Sequence, residues 1–186
     1  MSQRGSIVQV SISSGGVPKL PVSEGHVTEL GIEGDGHDNP ELHGGPERAL
    51  CLFAIERIEA MAAEGHPIAV GSTGENITTR GIDWDLVVPG ARLRLGADVL
   101  VEVTRYTTPC KTNARWFKAG DFNRMHQGLF PGYSRVYARV LTGGVVRPGD
   151  EVVLLPPVLW VIAPRTSCAS RVRGGPLSCR QARFRR

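Results

Sequence analysis

Apolar and polar positions alternate along several short segments of the chain, with the period of two that is typical of half-buried β-strands. The alternation is clear at residues 6–13 (SIVQVSIS), and residues 134–141 (SRVYARVL) are predicted to form another strand. A compact apolar run at 49–53 (ALCLF) indicates a buried strand, and residues 151–155 (EVVLL) are predicted to form the last strand. The pattern therefore predicts a chain built mostly from short strands.

The remaining elements fit the same picture. A short strand is predicted at 27–30, and residues 87–104 (VVPGARLRLGADVLVEVT) predict a turn, a strand, a second turn and a second strand. Residues 54–64 predict a helix, because Ile55, Ile58 and Met61 fall on one helical face, and Gly65 follows as a stop signal. Strands at a spacing of about 8 to 12 residues predict a mainly β fold, either a sandwich or a small barrel, with a few short helices. Regular alternation of strands and helices is missing from the pattern, which disfavours a doubly wound sheet.

Charge divides the chain into two parts. The net charge is +4, yet seven of the 22 basic residues lie at 158–186, where there is no acidic residue. The rest of the chain then has 15 basic and 18 acidic residues. We expect a folded domain over residues 1–157 and a basic, arginine-rich, disordered tail over 158–186. Because the folded part has no basic excess, a nucleic-acid partner is not expected.

No apolar run approaches the ~18 residues that a membrane-spanning helix needs. The first residues (MSQRGSIVQVSISSGG) lack the charged-then-apolar pattern of a secretory signal. These features predict a cytoplasmic protein without a membrane partner, and its cysteines are expected to be reduced.

A glycine-rich segment at 31–50 (GIEGDGHDNPELHGGPERAL) precedes the buried strand at 49–53. Adjacent glycines at Gly44 and Gly45, after His43, expose backbone N–H groups that can close on an anion. Arg48 follows at a distance from which it can pair with a phosphate or a carboxylate. The alternative is a surface turn that needs glycine for its backbone conformation.

A second loop, 71–79 (GSTGENITT), contains Gly74, Glu75 and Asn76. Asn76 can both donate and accept hydrogen bonds, and Glu75 can accept one from a ring N–H or an amine. The alternative is a purely structural loop in which Asn76 caps a turn.

The segment 108–117 (TPCKTNARWF) places Cys110 after a predicted strand and before a short helix predicted at 113–119. The helix start and Lys111 are expected to favour the thiolate form of Cys110. A thiolate can serve as a nucleophile, a persulfide carrier or a soft-metal ligand, and the alternative is a small buried apolar residue. For Cys51, inside an apolar strand, the buried role is the prediction.

A fourth polar stretch, 121–140, includes Arg124, His126 and Arg135. These groups add positive charge and hydrogen-bonding capacity, and the prediction for them is a solvated face.

Taken in order, the segments PKLPV, GIEGDGH, HGGPERAL, GENITT, PGARLRLG and TPCKT resemble the MOSC domain, over roughly residues 7–155. That domain forms the C-terminal part of molybdenum cofactor sulfurases and also occurs as a standalone bacterial protein. The chain resembles in length the standalone members linked to 6-hydroxylaminopurine resistance.

The resemblance implies a β-barrel-like fold, similar to the small barrel domain of pyruvate kinase, and a molybdenum cofactor (molybdopterin). Cys110 matches the family cysteine, which implies a catalytic role as molybdenum ligand or sulfur carrier. His43, Gly44, Gly45, Gly74, Glu75 and Asn76 match loops that are expected to line the pterin pocket. Arg48 and Lys111 are added on chemical grounds, because cations can hold the pterin phosphate. The pyridoxal-phosphate domain of the sulfurases has no counterpart in this sequence, so pyridoxal phosphate is not expected to bind this chain.

Two functions follow from the resemblance. One is a molybdenum-dependent oxidoreductase that reduces N-hydroxylated compounds and needs an external electron-transfer protein. The other is a carrier module that holds the cofactor, or a persulfide on Cys110, and exchanges sulfur with a donor or acceptor protein. Both functions require the same cysteine and pocket, so the sequence leaves them open.

Overall fold

A computed structural model describes residues 3–36 and 44–157 of the chain. Within these ranges the chain forms strands, one α-helix and several short 3-10 helices. The strands are β1 (Gln3–Ile12), β2 (Leu20–Val22), β3 (Gly25–Thr28), β4 (Gly31–Ile32), β5 (Leu50–Ala54), β6 (Ile77–Arg80), β7 (Arg92–Leu95), β8 (Val99–Tyr106), β9 (Val136–Thr142), β10 (Gly144–Val146) and β11 (Glu151–Leu154). The helix α1 is Ile55–Ala63, and the 3-10 helices are Pro46–Arg48, Trp84–Leu86, Lys111–Trp116, Lys118–Gly120 and Phe122–Met125.

Seven strands close into a barrel in the order β1-β11-β7-β8-β9-β5-β6, and β6 pairs again with β1. Every pairing in the barrel is antiparallel except that of β5 with β6. These two parallel strands are connected by α1. Closure removes the exposed edges that an open sheet would present. The small strands β10, β3 and β4 form a separate three-stranded sheet, and β2 extends β1 beyond its pairing with β6. The mainly β, barrel-like fold predicted from the sequence is confirmed.

The core follows the predicted alternation. Val99, Val101 and Val103 on β8 are buried, and the residues between them are more exposed. Helix α1 buries Ile55, Ile58 and Met61, which are the residues of the predicted apolar face. Burial of such side chains contributes roughly 1.5–3 kcal/mol each, relative to exposure, and this drives barrel and helix together.

Two local features differ from the sequence-based expectation. Residues 77–80 (ITTR) belong to a loop in the predicted pattern but form β6, because the β-branched side chains of Ile77, Thr78 and Thr79 are buried between β1 and β5. The helix predicted at 113–119 is replaced by two 3-10 helices, separated by an extended Phe117. The predicted tail at 158–186 lies outside the described residues. No helix in the described ranges is long and apolar enough to cross a bilayer.

The side chain of Asn76, immediately before β6, connects three segments of the chain. Its Oδ1 accepts a hydrogen bond from the Cys51 N–H at 3.1 Å, and its Nδ2 donates to the Ser11 carbonyl at 3.2 Å. The same Nδ2 donates to Asp35 Oδ2 at 2.8 Å. Asp35 in turn accepts from the buried Lys19 ammonium and from the Ser13 N–H. We call these contacts the Asn76 clamp, since they fix β5, the end of β1 and the loop after β4 to one another.

Replacing Asn76 by alanine is expected to lower the free energy of unfolding by about 2–4 kcal/mol, because the buried Cys51 N–H and the Asp35 carboxylate would lose a partner. Urea denaturation followed by tryptophan fluorescence measures this loss. Asn123→Ala, at an exposed position, is the matched control and should change the unfolding free energy by less than about 0.5 kcal/mol. Equal unfolding midpoints for the two variants would contradict the clamp.

Candidate functional site

One cavity gathers most of the polar loops that the sequence singled out. Its volume is about 660 Å³, which lies within the range of small-molecule and cofactor pockets. Its walls come from the loop after β1, the loop after β4, the start of β5, the loop before β6, the segment after β8 and the start of β9. The lining residues are Gly16, Val17, Lys19, Gly36, Gly44, Arg48, Cys51, Thr73, Gly74, Asn76, Thr108, Cys110, Thr112, Asn113, Arg115, Arg135 and Tyr137.

Cys110 lies in this wall as the residue that precedes the 3-10 helix Lys111–Trp116. Its thiol is partly exposed, and Sγ lies 2.6 Å from the Thr112 hydroxyl oxygen. The Asn113 N–H donates to the Cys110 carbonyl at 3.0 Å, which closes the first turn of the helix. The local backbone therefore holds the Cys110 thiol at the cavity surface, where a ligand can reach it.

A second thiol, that of Cys51 on β5, also lines the cavity but differs in character. Cys51 is buried, as predicted, and its Sγ lies 4.0 Å from Arg135 Nη1. Burial raises the pKa of the Cys51 thiol to about 11. Burial therefore holds Cys51 in the thiol form, and Cys110 is the better candidate for chemistry with a ligand because it is the more accessible of the two.

Arg135 is the main difference between prediction and structure. The sequence predicts a solvated face for it, but Arg135 is only 6% exposed and lines the cavity, so that prediction is wrong. Its Nη1 donates to the Thr73 carbonyl, and its Nε has no hydrogen-bond partner among the described residues. A buried guanidinium with unused donors is suited to bind an anion.

Three further cationic residues line the same cavity as Arg135. Arg48, predicted to hold a phosphate, lies at the end of the 3-10 helix Pro46–Arg48. Arg115 donates to the Val17 carbonyl and stacks on the Trp116 ring, with 5.0 Å between the guanidinium carbon and the ring centroid. Lys19 is buried, and Asp35 neutralises it. The arginines therefore make the cavity favourable for a negatively charged group.

The other cationic groups of the fourth stretch lie outside the cavity wall. Arg124 pairs with Glu64 at 2.6 Å and stacks on the Tyr133 ring at 3.8 Å. These contacts connect the 3-10 helix Phe122–Met125 to Glu64, the residue that follows α1, and to Tyr133. The His126 Nδ1 accepts a hydrogen bond from the Gly128 N–H, which is a local turn contact.

The predicted site residues divide into three groups. The structure brings Gly44, Arg48, Gly74, Asn76 and Cys110 together around the cavity. The described lining does not include Gly45, Glu75 or Lys111. Gly45 and Lys111 are exposed, and Glu75 is buried behind the cavity wall. His43 lies outside the described residues. Cofactor binding by each of these residues stays a prediction.

Glu75 organises the loop before β6 from within the protein. It is fully buried, and its carboxyl group accepts hydrogen bonds from the Gly71 N–H at 2.5 Å and the Thr73 hydroxyl at 2.9 Å. Gly74, between Thr73 and Glu75, turns the chain with a φ of 92°. A side chain at this position would be strained and would meet Val17. Glu75 and Asn76 thus set the shape of the cavity wall through hydrogen bonds inside the protein.

Several residues of the lining escaped the sequence analysis. Asn113 follows Cys110 by three residues, and this helical spacing is the signal that could have placed both at one site. Tyr137 lies on β9, two residues after Arg135, which directly precedes the strand. In extended chain this spacing puts both side chains on the same face. Burial raises the pKa of the Tyr137 hydroxyl. The sequence pattern shows that Arg135 and Tyr137 share one face of the chain, but it does not show that a cavity lies against this face.

The buried Glu75 predicts a pH dependence of stability. Burial raises the pKa of its carboxyl group above the ordinary value of about 4.5. Between that value and the raised one the folded state holds a proton that the unfolded state releases, so its contribution to stability falls as pH rises. Glu75→Gln has no such proton. As pH increases from 5 towards 8, the free energy of unfolding of the wild type should therefore fall relative to that of Glu75→Gln.

Urea denaturation at several pH values measures this difference. Glu59→Gln, at an exposed position that pairs with Arg80, is the control and should stay parallel to the wild type. A Glu75→Gln curve that is also parallel to the wild type would show that Glu75 has the same protonation in both states.

Comparison with known proteins agrees with this geometry. A family model for the MOSC domain matches residues 39–153. Over 125 residues the chain is 32% identical to the uncharacterized protein YflK of Bacillus subtilis, covering 67% of this chain and 55% of YflK. It is 32% identical over 105 residues to the protein YiiM of Escherichia coli, covering 54% of this chain and 46% of that protein.

A protein named "Reductase" from Gibberella moniliformis is 33% identical over 132 residues, which cover 67% of this chain and 22% of that protein. The chain thus spans about half the length of YflK and YiiM, and about a fifth of the reductase.

Solved structures show the same likeness. The crystal structure of YiiM from Escherichia coli matches with a TM-score of 0.63 and 28% identity, over 83% of this chain and 71% of that one. YiiM from Geobacillus stearothermophilus matches with a TM-score of 0.61 and 25% identity, over 82% of this chain and 75% of that one. The segment that the MOSC family model matches, residues 39–153, contains the loop before β6, Cys110 and most of the barrel strands. This chain belongs to the MOSC domain family.

Proposed function

We propose that the protein binds a molybdenum cofactor in the cavity, with Cys110 as a ligand of the metal, and reduces N-hydroxylated compounds. One observation supports this most directly: an accessible thiol and three arginines, Arg48, Arg115 and Arg135, line the same cavity. A soft thiolate suits molybdenum, and guanidinium groups suit the phosphate that a molybdopterin carries. The family and the name of the Gibberella moniliformis relative point in the same direction.

The residues of the cavity fit such a group. The described residues contain no cluster of three or more His, Cys, Asp or Glu side chains that could hold a bare metal ion. A single cysteine suits a metal whose other ligands belong to an organic cofactor. The Arg135 guanidinium lines the cavity and suits an anionic group, and the lining glycines Gly36, Gly44 and Gly74 permit close approach of backbone to a flat ring.

In this proposal the cofactor supplies two-electron redox chemistry. Reduction of an N-hydroxylated amine takes up two electrons and two protons, breaks the N–O bond and releases the amine and water. Cys110 would hold the metal through Sγ, and Thr112 would position that sulfur through the 2.6 Å contact. Arg48, Arg115 and Arg135 hold the anionic end of the cofactor. The electrons come from an external electron-transfer protein.

A second candidate rests on the partial exposure of the Cys110 thiol. A thiolate at the surface of a cavity can attack the outer sulfur of a donor's persulfide, which leaves a persulfide on Cys110 and a thiolate on the donor. In that case the protein is a sulfur carrier, and no electrons from outside are required.

Cys110→Ser is expected to lose molybdenum and at least about a hundredfold of the reduction rate, because the ligand sulfur is gone. The protein is purified from a host that makes the cofactor, and metal and pterin contents are measured. Reduction of 6-hydroxylaminopurine to adenine is followed by chromatography, with dithionite-reduced methyl viologen as electron source. Cys51→Ser is the matched control, since the protonated Cys51 thiol is not expected to bind the metal.

We expect the wild type and Cys51→Ser to contain metal and to be active. We expect Cys110→Ser to have neither metal nor activity. Metal loss in Cys51→Ser alone would contradict the assignment of the ligand. Protein without metal or pterin that accepts labelled sulfur on Cys110 would favour the carrier.

A further inference from the structure

Positive charge is concentrated in the segment that carries Cys110. Residues 103–120 (VTRYTTPCKTNARWFKAG) contain four basic residues and no acidic residue, although residues 1–157 as a whole contain 15 basic and 18 acidic residues. The four basic residues are exposed, and they are Arg105, Lys111, Arg115 and Lys118. We call residues 103–120 the basic segment.

The cations of the basic segment also lack carboxylate partners. Within residues 3–36 and 44–157, none of the four forms an ion pair, and Arg115 donates to the Val17 carbonyl instead. Most other surface arginines of the barrel pair with glutamates, and these are Arg4, Arg80, Arg92, Arg94, Arg139 and Arg147. The charge of the basic segment is therefore not neutralised by the described residues, and it acts on a molecule that approaches from outside.

The basic segment lies beside the cavity. Arg105 on β8 is directly opposite Tyr137 on β9, and Tyr137 lines the cavity. Arg115 lines the cavity itself, and Lys118 begins the next 3-10 helix along the chain. A partner that binds the basic segment therefore meets the part of the wall that carries Cys110.

We propose that the basic segment docks an electron-transfer protein with an acidic surface, and that electrons enter the cavity from this side. The inference rests on the proposed function, which requires such a partner, and adds where the partner docks and which charge its surface carries. The two electrons consumed in breaking the N–O bond leave the reduced partner, which is oxidised, and the two protons come from water.

A protein fits this surface better than a nucleic acid does. The exposed cations lie within one stretch of 18 residues, and residues 1–157 have more acidic than basic residues. A long polyanion that extends beyond the basic segment would meet acidic groups and be repelled. A protein interface of about 800 Å² on each partner covers one such patch, and opposite charges across it raise the association rate.

The experiment uses a bacterial flavodoxin, a small acidic flavoprotein, as the probe. Isothermal titration calorimetry measures Kd for oxidised flavodoxin, and kcat/KM is measured with photochemically reduced flavodoxin and 6-hydroxylaminopurine on the cofactor-loaded full chain. The test variant is Arg105→Glu with Lys118→Glu. The control is Arg4→Glu with Arg80→Glu, which makes the same charge change at exposed positions. Arg4 lies near the start of β1 and Arg80 at the end of β6, away from the ends that lead into the cavity loops.

The test variant should raise Kd for flavodoxin and lower kcat/KM by about tenfold or more at low ionic strength, because the complementary charges are reversed. The control should change both by less than about twofold. The difference should shrink in 0.5 M salt, since the screening length is only about 10 Å at 0.1 M and shorter above that. With dithionite-reduced methyl viologen, a small cation, the rate of the test variant should not fall.

A wild type that is active with methyl viologen but does not bind flavodoxin would overturn the inference and leave the proposed function in place. Equal effects of the two double variants on Kd would do the same. Binding of a 20-nucleotide single strand of DNA as tight as that of flavodoxin would also overturn it, because the surface would then be a general polyanion site. A cofactor-loaded wild type that is inactive with both electron sources would overturn the proposed function together with the inference.

Discussion

The buried pairing of Asn76 with Asp35 and Lys19 is the contact on which the cavity depends. Three segments that are far apart in the sequence meet there: the end of β1 with its following loop, the loop after β4, and the loop that leads into β6. A buried ion pair is costly unless its remaining hydrogen bonds are made. Asp35 meets this requirement through Asn76 Nδ2 and the Ser13 N–H. The same contacts that satisfy the charges therefore set the distance between the walls of the cavity.

The charges that remain in the cavity follow from this arrangement. Lys19 is neutralised by Asp35, and burial favours the protonated form of Glu75 by raising its pKa. The buried Nε of Arg135 has no hydrogen-bond partner among the described residues, and Arg48 and Arg115 lie in the same cavity wall. The described lining contains no carboxylate side chain, and Glu75 interacts with Arg135 from behind the wall. The fold thus gives the cavity one accessible thiol and a positive wall, a combination that suits an anionic cofactor with a soft metal.

Sequence reasoning reached the fold because it depends on short-range patterns, whereas the interest in Cys110 came mainly from the resemblance to the family. The strand predicted at 134–141 corresponds to β9, and the helical face of Ile55, Ile58 and Met61 located α1. The strand β6 was missed because glycines and an asparagine precede it, and its Thr78 and Thr79 look polar until the barrel buries them. The role of Arg135 was missed for a related reason: a polar residue opposite the core face of a strand is usually solvated, and only the loops before β6 and after β8 turn that face into a cavity wall.

The most direct test of the account is X-ray absorption spectroscopy at the molybdenum edge, on the protein purified from a cofactor-producing host. Because Cys110→Ser is expected to lose the metal during purification, this variant is reconstituted with an excess of the same cofactor. If Cys110 binds the metal, the wild type should then show one more sulfur neighbour around molybdenum than reconstituted Cys110→Ser. The same number of sulfur neighbours in both proteins would show that the metal does not use this cysteine and would contradict the central claim.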